Sequence, residues 1–438
     1  MEKFYIETYG CQMNEADSEY MASVLLSLGF EASSEIGDAD IILVNTCSIR
    51  EKAESKVLSF LGRAYPYKKK RNAVLGVCGC VARKEGENLI KKAPYLDMVF
   101  GPHHIGRLPD FINAVKNEKK KVVEVSDRDE IDRNSDLVVP TGLRAMVPIM
   151  QGCNNFCSFC IVPFVRGREV SRKIEDVINE IKNLVSKGAK EVMLLGQNVN
   201  SYGNDLGQKN AFVGLLEKVN GINGVERIRF TTSHPKDLTD ELINAFGTLD
   251  KLCPQLHLPL QSGSDKILAL MNRKYDSATY LSLIDKVRKV CPEIAITTDI
   301  IVGFPGEEED DFKATIEMVK RVQYDGAFSF KYSARPKTKA ASMPSQVPEE
   351  IKQRRLEELQ ALQREITYSK NRLLEGKVLP VLVENVNKRN SKEFSGRTPC
   401  FRIVNFTASE EREGLIGKVV FVKIIKGLKN SLKGEMIS

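Results

Sequence analysis

The sequence predicts an α/β chain of three units. They are an N-terminal domain built on a parallel sheet, a central partial (β/α)6 barrel, and a small antiparallel, OB-like β-barrel at the C-terminus. Three observations carry this. Through about the first 115 residues, strand-like apolar runs alternate with helix-period segments, the signature of a parallel sheet with helices on its faces. From Arg144 to Ser333 the alternation resumes in longer units with six strand candidates. After Gly376 only short alternating strands separated by turn residues remain, as in a small closed barrel. A length of 438 residues exceeds one ordinary hydrophobic core and suits several domains.

In the first unit FYIETYG reads as a short strand. EADSEYMASVLLSLGF reads as a helix, because Met21, Val24, Leu25 and Leu28 recur at helical spacing. IILVNT is a continuous apolar run, hence a buried strand; Ile49 to Arg63 reads as a helix, AVLGVCG as a third strand and Lys84 to Ala93 as a helix. Residues 119–140 are charged and short of large apolar side chains after Val125, which predicts a linker holding one strand. The barrel strands are AMVPIMQ, EVMLLG, RIRFTT, QLHLPLQ, IAITTDIIVG and GAFSFKYS. The clearest helix among them runs from Lys173 to Ser186, with Ile174, Val177, Ile178, Ile181, Leu184 and Val185 on one stripe. Pro344 to Gly376 reads mostly as one charged helix with Ile351, Leu356, Leu359, Leu362 and Ile366 inward. KVLPVLVENV, EFSGRT, FRIVNF, KVVFVKIIK and SLKGEMI follow as the strands of the last barrel. The expected units are therefore 1–118, a linker at 119–140, 141–370 and 371–438.

The apolar fraction is 42% and the charged fraction 28%, as in a globular protein. No apolar run approaches the ~20 residues of a membrane helix, so no membrane partner is expected. The start MEKFYIETYG lacks the parts of a signal peptide, which predicts a cytoplasmic protein. In that compartment ten cysteines point to metal binding or catalysis rather than disulfides. The formal charge is +7, and Lys377–Ser438 holds twelve Lys/Arg against six Glu, so +6 of it lies in the last unit. That is the footprint of a domain that meets a polyanion, or else a solubilising face.

Cys153, Cys157 and Cys160 stand within the eight residues CNNFCSFC, on a loop after the first barrel strand. Three thiolates hold three irons of a 4Fe–4S cube and leave the fourth open to a small molecule. A zinc site wants a fourth Cys or His nearby, and the next histidine is His234. Phe159 is expected to pack over the cluster and keep water off it. Cys11, Cys47 and Cys80 each follow a predicted parallel strand at its carboxyl end, where a sheet gathers distant residues at one edge. They form a second trio. Cys78 competes with Cys80 but lies inside the strand, whereas Cys80 follows a Gly at the exit, as Cys11 does. Cys253, Cys291 and Cys400 are expected to be packing residues.

The CNNFCSFC loop resembles the CxxxCxΦC motif of the radical S-adenosylmethionine (SAM) enzymes. YGCQMNEADSE, NTCSIREKAE and GVCGCVARKEGE resemble the N-terminal domain of the methylthiotransferases. The order of that domain, a radical-SAM barrel and a TRAM barrel is similar to that family over essentially the whole chain. NTCSIREKAE and GRTPCFRIVNF favour the branch that acts on prenylated adenosine in tRNA. Branches acting on a ribosomal protein uS12 aspartate or on threonylcarbamoyl-adenosine stay open.

The resemblance implies two 4Fe–4S clusters. Cys153, Cys157 and Cys160 would hold the one that binds SAM, and Cys11, Cys47 and Cys80 an auxiliary one that donates sulfur. It implies SAM contacts at Gly196, Gln197 and Asn198, at Ser233 and His234, at Gln261, and at Asp299 and Gly303. His257 is expected to be packed rather than catalytic. In the TRAM-like barrel Lys388, Arg389, Arg397, Arg402, Lys423, Lys426 and Lys429 would meet phosphates. The run Lys68 to Arg71 is a second candidate contact. The implied partners are a tRNA anticodon loop, an electron donor such as flavodoxin or ferredoxin, and an iron–sulfur carrier protein. A reading from another class is a non-catalytic iron–sulfur protein that binds RNA or carries electrons. It predicts no 5′-deoxyadenosine from SAM and reductant.

Overall fold

In the N-terminal unit a run of short strands makes a six-stranded, wholly parallel sheet. It comprises β1 (Lys3–Tyr9), β2 (Glu31–Ala32), β3 (Ile41–Thr46), β4 (Val74–Gly79), β5 (Met98–Phe100) and β6 (Val122–Glu124), in the order β2-β1-β3-β4-β5-β6. The structure is a computed structural model that describes residues 1–47, 51–128, 130–139, 142–387, 390–408 and 414–437. β3 and β4 are buried along their whole length, as continuous apolar runs require when helices cover both faces. The expected linker gives its strand, β6, to this sheet through pairing with β5, so the sheet extends past residue 118. The second helix runs Glu51–Arg71; the first two residues of its expected span, Ile49 and Arg50, lie outside the described residues. The helix expected over Lys84–Ala93 is instead two short ones, Cys80–Glu85 and Glu87–Lys92, separated by Gly86.

The central unit has six parallel strands in chain order. β7 (Arg144–Pro148) pairs with β10 (Glu191–Leu195), which pairs with β11 (Arg227–Phe230). β12 (Gln255–His257), β13 (Ala295–Val302) and β14 (Gly326–Lys331) continue the curve. A parallel bridge between Ile228 and Leu252 joins the two halves. The run AMVPIMQ breaks after Pro148. Its end, β8 (Met150–Gln151), leaves the barrel and pairs antiparallel with β9 (Val170–Ser171). This clasp brackets the loop of Cys153, Cys157 and Cys160. The helix Glu349–Arg372 covers the outer side, with Leu359 and Ile366 buried.

The last unit is a closed barrel, β15-β16-β17-β19-β18, with β15 Val378–Asn387, β16 Asn390–Arg397, β17 Ile403–Thr407, β18 Val419–Gly427 and β19 Leu432–Met436. It is antiparallel except where β17 and β19 run parallel, because closure brings the last strand beside the third. Its loop 398–401 plugs the base of the central barrel. There Arg229 donates to the carbonyls of Thr398 and Pro399, and Phe401 lies under the Arg144 and Arg229 guanidiniums. From the other side α1 (Gln12–Ser27) packs Met13 and Ala16 against Met193 and Leu195. Among the described residues no helix is long and apolar enough to cross a membrane.

Candidate active site

Strand register explains how three distant cysteines meet. Tyr9 of β1 pairs with Thr46 of β3, which pairs with Gly79 of β4. Cys47 and Cys80 follow those residues directly, and Cys11 follows one residue further on. The Cys47 amide donates to the Tyr9 carbonyl at 2.9 Å, extending the ladder to the site itself. Gly79 has φ +88, and a Cβ there would fall 2.4 Å from the Asn45 Oδ1, so only glycine makes this exit. Cys78 points the other way, 3.5 Å from the Met21 sulfur in the core. Gly79 ends the strand and turns the chain into the helix that Cys80 begins, so Cys78 stays in the core while Cys80 joins the other two thiols.

The three thiols share a hydrogen-bonded charge. Cys47, bonded to both Cys11 and Cys80, keeps its proton and titrates far above an ordinary thiol. The bond with Cys47 outweighs lost solvation and, with the Arg166 charge, brings Cys11 down to about 7 and Cys80 to about 6. Both sit at helix starts, Cys11 as the N-cap of α1 and Cys80 as the first residue of Cys80–Glu85, which favours thiolate.

Arg166 was not legible as a site residue. It comes from the barrel, six residues beyond Cys160, yet its Nε donates to the Cys80 sulfur at 3.4 Å. It also donates to the Asp17 carboxylate at 2.7 Å, and its carbonyl lies 3.1 Å from the His103 Nε2. Its third nitrogen is buried with no partner among the described residues. Burial first, then Arg83 and Arg166, lower His103 to about 4, so it is neutral.

The second trio lies on one loop, and Ile161 and Val165 just beyond it pack against Cys80 of the first. The Cys160 amide donates to the Cys157 carbonyl at 2.9 Å, and Arg273 donates to the Cys157 sulfur at 3.3 Å. Burial raises Cys153 to about 11 and Cys160 to about 12. Gly152 opens the loop at φ +75, where a Cβ would fall 1.9 Å from the Arg168 carbonyl. Phe159 packs with Ile267, Met271, Phe304, Tyr332 and Ala340, walling one side of the loop. Among the described residues no three His, Cys, Asp or Glu side chains close on a single ion. A cube spreads its ligands wider than one ion does, so that finding and two thiol trios are compatible.

In the loops after β10 and β11 several side-chain polar atoms are unsatisfied. Asn198 Oδ1, both amide atoms of Asn200, Ser233 Oγ and His234 Nε2 are buried without a partner among the described residues. Such atoms are costly unless a ligand completes them. The Lys236 amide donates to His234 Nδ1 at 3.2 Å, so neutral His234 carries its proton on Nε2 and offers a donor. Burial, then Arg273 and Lys236, hold it neutral, at about 2. This set fits a polar, amino-acid-bearing cofactor such as SAM. Asn200 was missed, as was Glu169, whose Oε1 accepts from Ser201 at 2.5 Å.

The other expected residues make contacts within the chain. Gln197 accepts from the Gly152 amide at 2.6 Å and so anchors the cysteine loop. Gly196 lets Met150 approach to 2.6 Å of where a Cβ would stand. Gln261 bridges to β13 through its backbone, and the Gly303 amide donates to Glu307 at 2.8 Å. Asp299 lies 3.5 Å from His257.

Two of the expected phosphate contacts are already paired. Arg397 is held by Glu384 and lies over Phe401 within the last barrel, whereas Arg402 is held by Asp325 and Asn371 and so docks that barrel on the central one. Lys423, Lys426 and Lys429 are exposed, whereas Lys388 and Arg389 lie outside the described residues. In the basic run near residue 70, Lys68 pairs with Asp97 and Arg71 with Asp40, leaving Lys69 and Lys70 exposed.

Comparison with known proteins follows these three units. Residues 3–101 match an uncharacterized protein family, UPF0004, residues 147–319 the radical SAM superfamily, and residues 372–437 the TRAM domain. The tRNA-2-methylthio-N(6)-dimethylallyladenosine synthase of Syntrophus aciditrophicus (strain SB) is 50% identical over 436 residues, 99% of this chain and 94% of that protein. The chain belongs to that synthase family. The synthase of the same name from Clostridium tetani (strain Massachusetts / E88) is 47% identical over 99% of this chain and 96% of its own. Among solved structures, the radical SAM methyltransferase TsrM from Kitasatospora setae, with tryptophan substrate and a SAM analogue, has a TM-score of 0.56 at 13% identity. The match covers 78% of this chain and 75% of that one, and shows the family's barrel fold alone.

Proposed function

We propose that the chain attaches a methylthio group to C2 of N6-dimethylallyladenosine, just 3′ of the anticodon in tRNA, by radical-SAM chemistry. Its likeness to synthases named for that product, over 99% of its length, is the observation that carries this. Membership of the radical SAM superfamily brings an iron–sulfur cluster and SAM, and the TRAM domain suits a tRNA substrate.

Cys153, Cys157 and Cys160 would hold the SAM-binding 4Fe–4S cluster, and Cys11, Cys47 and Cys80 a second, sulfur-donating one. When bound, these groups supply one-electron cleavage of SAM and the sulfur to be transferred. The chain's own residues position and enclose. His234 Nε2–H, Ser233 Oγ and the amides of Asn198 and Asn200 would satisfy the polar groups of SAM. Gln197 and Arg273 fix the cysteine loop, and Phe159 and Phe304 exclude water beside it. Arg166 places a fixed positive charge beside the auxiliary thiolates and ties them to the barrel. On the last barrel Phe421 is exposed two residues before Lys423, and stacking beside phosphate-binding charge is what RNA binding needs. An electron donor of the flavodoxin or ferredoxin kind and an iron–sulfur carrier protein complete the reading, in the cytoplasm.

Mass spectrometry of tRNA nucleosides from cells with and without the gene tests it. The methylthio nucleoside should disappear without the gene, with its prenylated precursor accumulating. Its persistence would overturn the assignment.

A further inference from the structure

Two large aromatic side chains stand uncovered inside the molecule. Phe328 and Phe330 of β14 are 58% and 40% exposed, whereas among the described residues no large apolar residue of the barrel's other strands is exposed. Register gives their surroundings. Phe328 pairs with Asp299, Phe330 with Ile301, and Thr297 with His257 of β12. Partners in a parallel sheet share a face. The alternate residues of β13, Thr298, Ile300 and Val302, are buried on the opposite face. Phe328, Phe330, Asp299, Ile301 and His257 therefore line the inner face of the open barrel at its last strand. The His257 ring meets Phe328 edge-on at 6.2 Å, and its Nε2 lies 3.5 Å from the Asp299 carboxylate, which is 32% exposed.

The row joins two places that matter. Asp325, three residues before Phe328, pairs with Arg402 of the TRAM barrel. At the other end Ile301 and Phe159 of the cysteine loop pack against the same buried cluster, which holds Phe304 and Tyr332. An RNA held on the last barrel thus has an aromatic track leading to the candidate SAM site.

We propose that Phe328 and Phe330 receive the target base, an adenine with an apolar branch on N6. One ring stacks on the purine, the other covers the branch, and Asp299 accepts the N6–H. This rests on the function proposed above and adds the residues that choose the substrate. The chemistry commits to that occupant: two π faces suit a flipped base, an uncovered apolar floor suits a prenyl group, and a carboxylate acceptor suits a secondary-amine hydrogen. Both rings are exposed, so trimming them leaves no cavity in the core.

The test is fluorescence-anisotropy titration of the full-length, cluster-reconstituted protein with an anticodon stem–loop RNA, with and without the N6-dimethylallyl group. Wild-type protein should bind the prenylated RNA more tightly. Phe328→Ala with Phe330→Ala should lose about tenfold in affinity for it, in line with one lost stacked base, and should no longer distinguish the two RNAs. Phe328→Leu, which keeps apolar cover but loses stacking, should weaken both RNAs while keeping part of the preference. Retention of the wild-type preference in the double variant would overturn the proposal. So would a wild-type protein that converts the prenylated RNA yet binds both alike, in which case the proposed function stands. Failure of the wild-type protein to convert either RNA would instead bring down the function itself.

Discussion

Removing Arg166 should loosen the N-terminal unit from the barrel even with no cluster present. Arg166 and Asp17 are only 2% and 3% exposed, with nitrogen and oxygen 2.7 Å apart. Arg166→Met leaves the Asp17 carboxylate buried without its cation. Breaking such a pair from one side costs about 3–5 kcal/mol. The guanidinium bond to Cys80 goes as well. The perturbation is local, so the assay should be too: hydrogen exchange by mass spectrometry on apo-protein peptides covering α1 and residues 161–168. Each ~1.4 kcal/mol is tenfold in an opening equilibrium, so about 3 kcal/mol predicts exchange about a hundredfold faster in both peptides. Asp17→Asn should act on the same peptides. The double variant should cost less than the sum by about 1–3 kcal/mol, since each change removes the same contact. Exchange in Arg166→Met within about threefold of wild type, or strictly additive effects, would refute the account of this strut.

Thiol titration should separate the trios. In apo-protein Cys11, exposed and lowered to about 7 by its bond with Cys47, should be alkylated by iodoacetamide with a rate rising to a plateau through pH 7, about a tenth of it at pH 6. Cys153, raised to about 11 by burial, should stay slow until far more alkaline pH, as peptide mapping can show. Glu180, fully buried between Arg133 and Arg172, has its carboxyl lowered by those cations against the cost of burial. A carboxylate lowered in the folded state stabilises above its ordinary value of 4.5, and that stabilisation is lost as pH falls through the folded value. Glu180→Gln should therefore cost about 3–5 kcal/mol at pH 7 and less in acid, read from denaturant unfolding at several pH values.

Much of this architecture was legible because it is local. Continuous apolar runs marked β3, β4 and β10, and helical spacing marked Ile174–Ser186. Cys80 is preferred to Cys78 because one glycine, Gly79, marks the strand's exit and leaves Cys78 inside the strand. Long-range partners were the part that stayed hidden. Arg166 lies 86 residues from Cys80 and 149 from Asp17, and no spacing rule connects them. For the same reason Arg397 and Arg402 counted as free charge: their partners Glu384 and Asp325 are 13 and 77 residues away. Asn200 was overlooked because an asparagine after a strand usually serves a turn, and only its buried, unpartnered amide marks it. The strand at 122–124 read as part of a linker because its neighbours are polar, and pairing with β5 alone gives it a place.

The proposed function needs two thiol trios, each able to hold a cube with one open corner. Iron analysis after anaerobic reconstitution tests that most directly. Wild type and Cys78→Ala should both carry about eight irons per chain, and the triple alanine variants of Cys11/Cys47/Cys80 and of Cys153/Cys157/Cys160 about four each. About four irons in the wild type, or about eight in either triple variant, would contradict it.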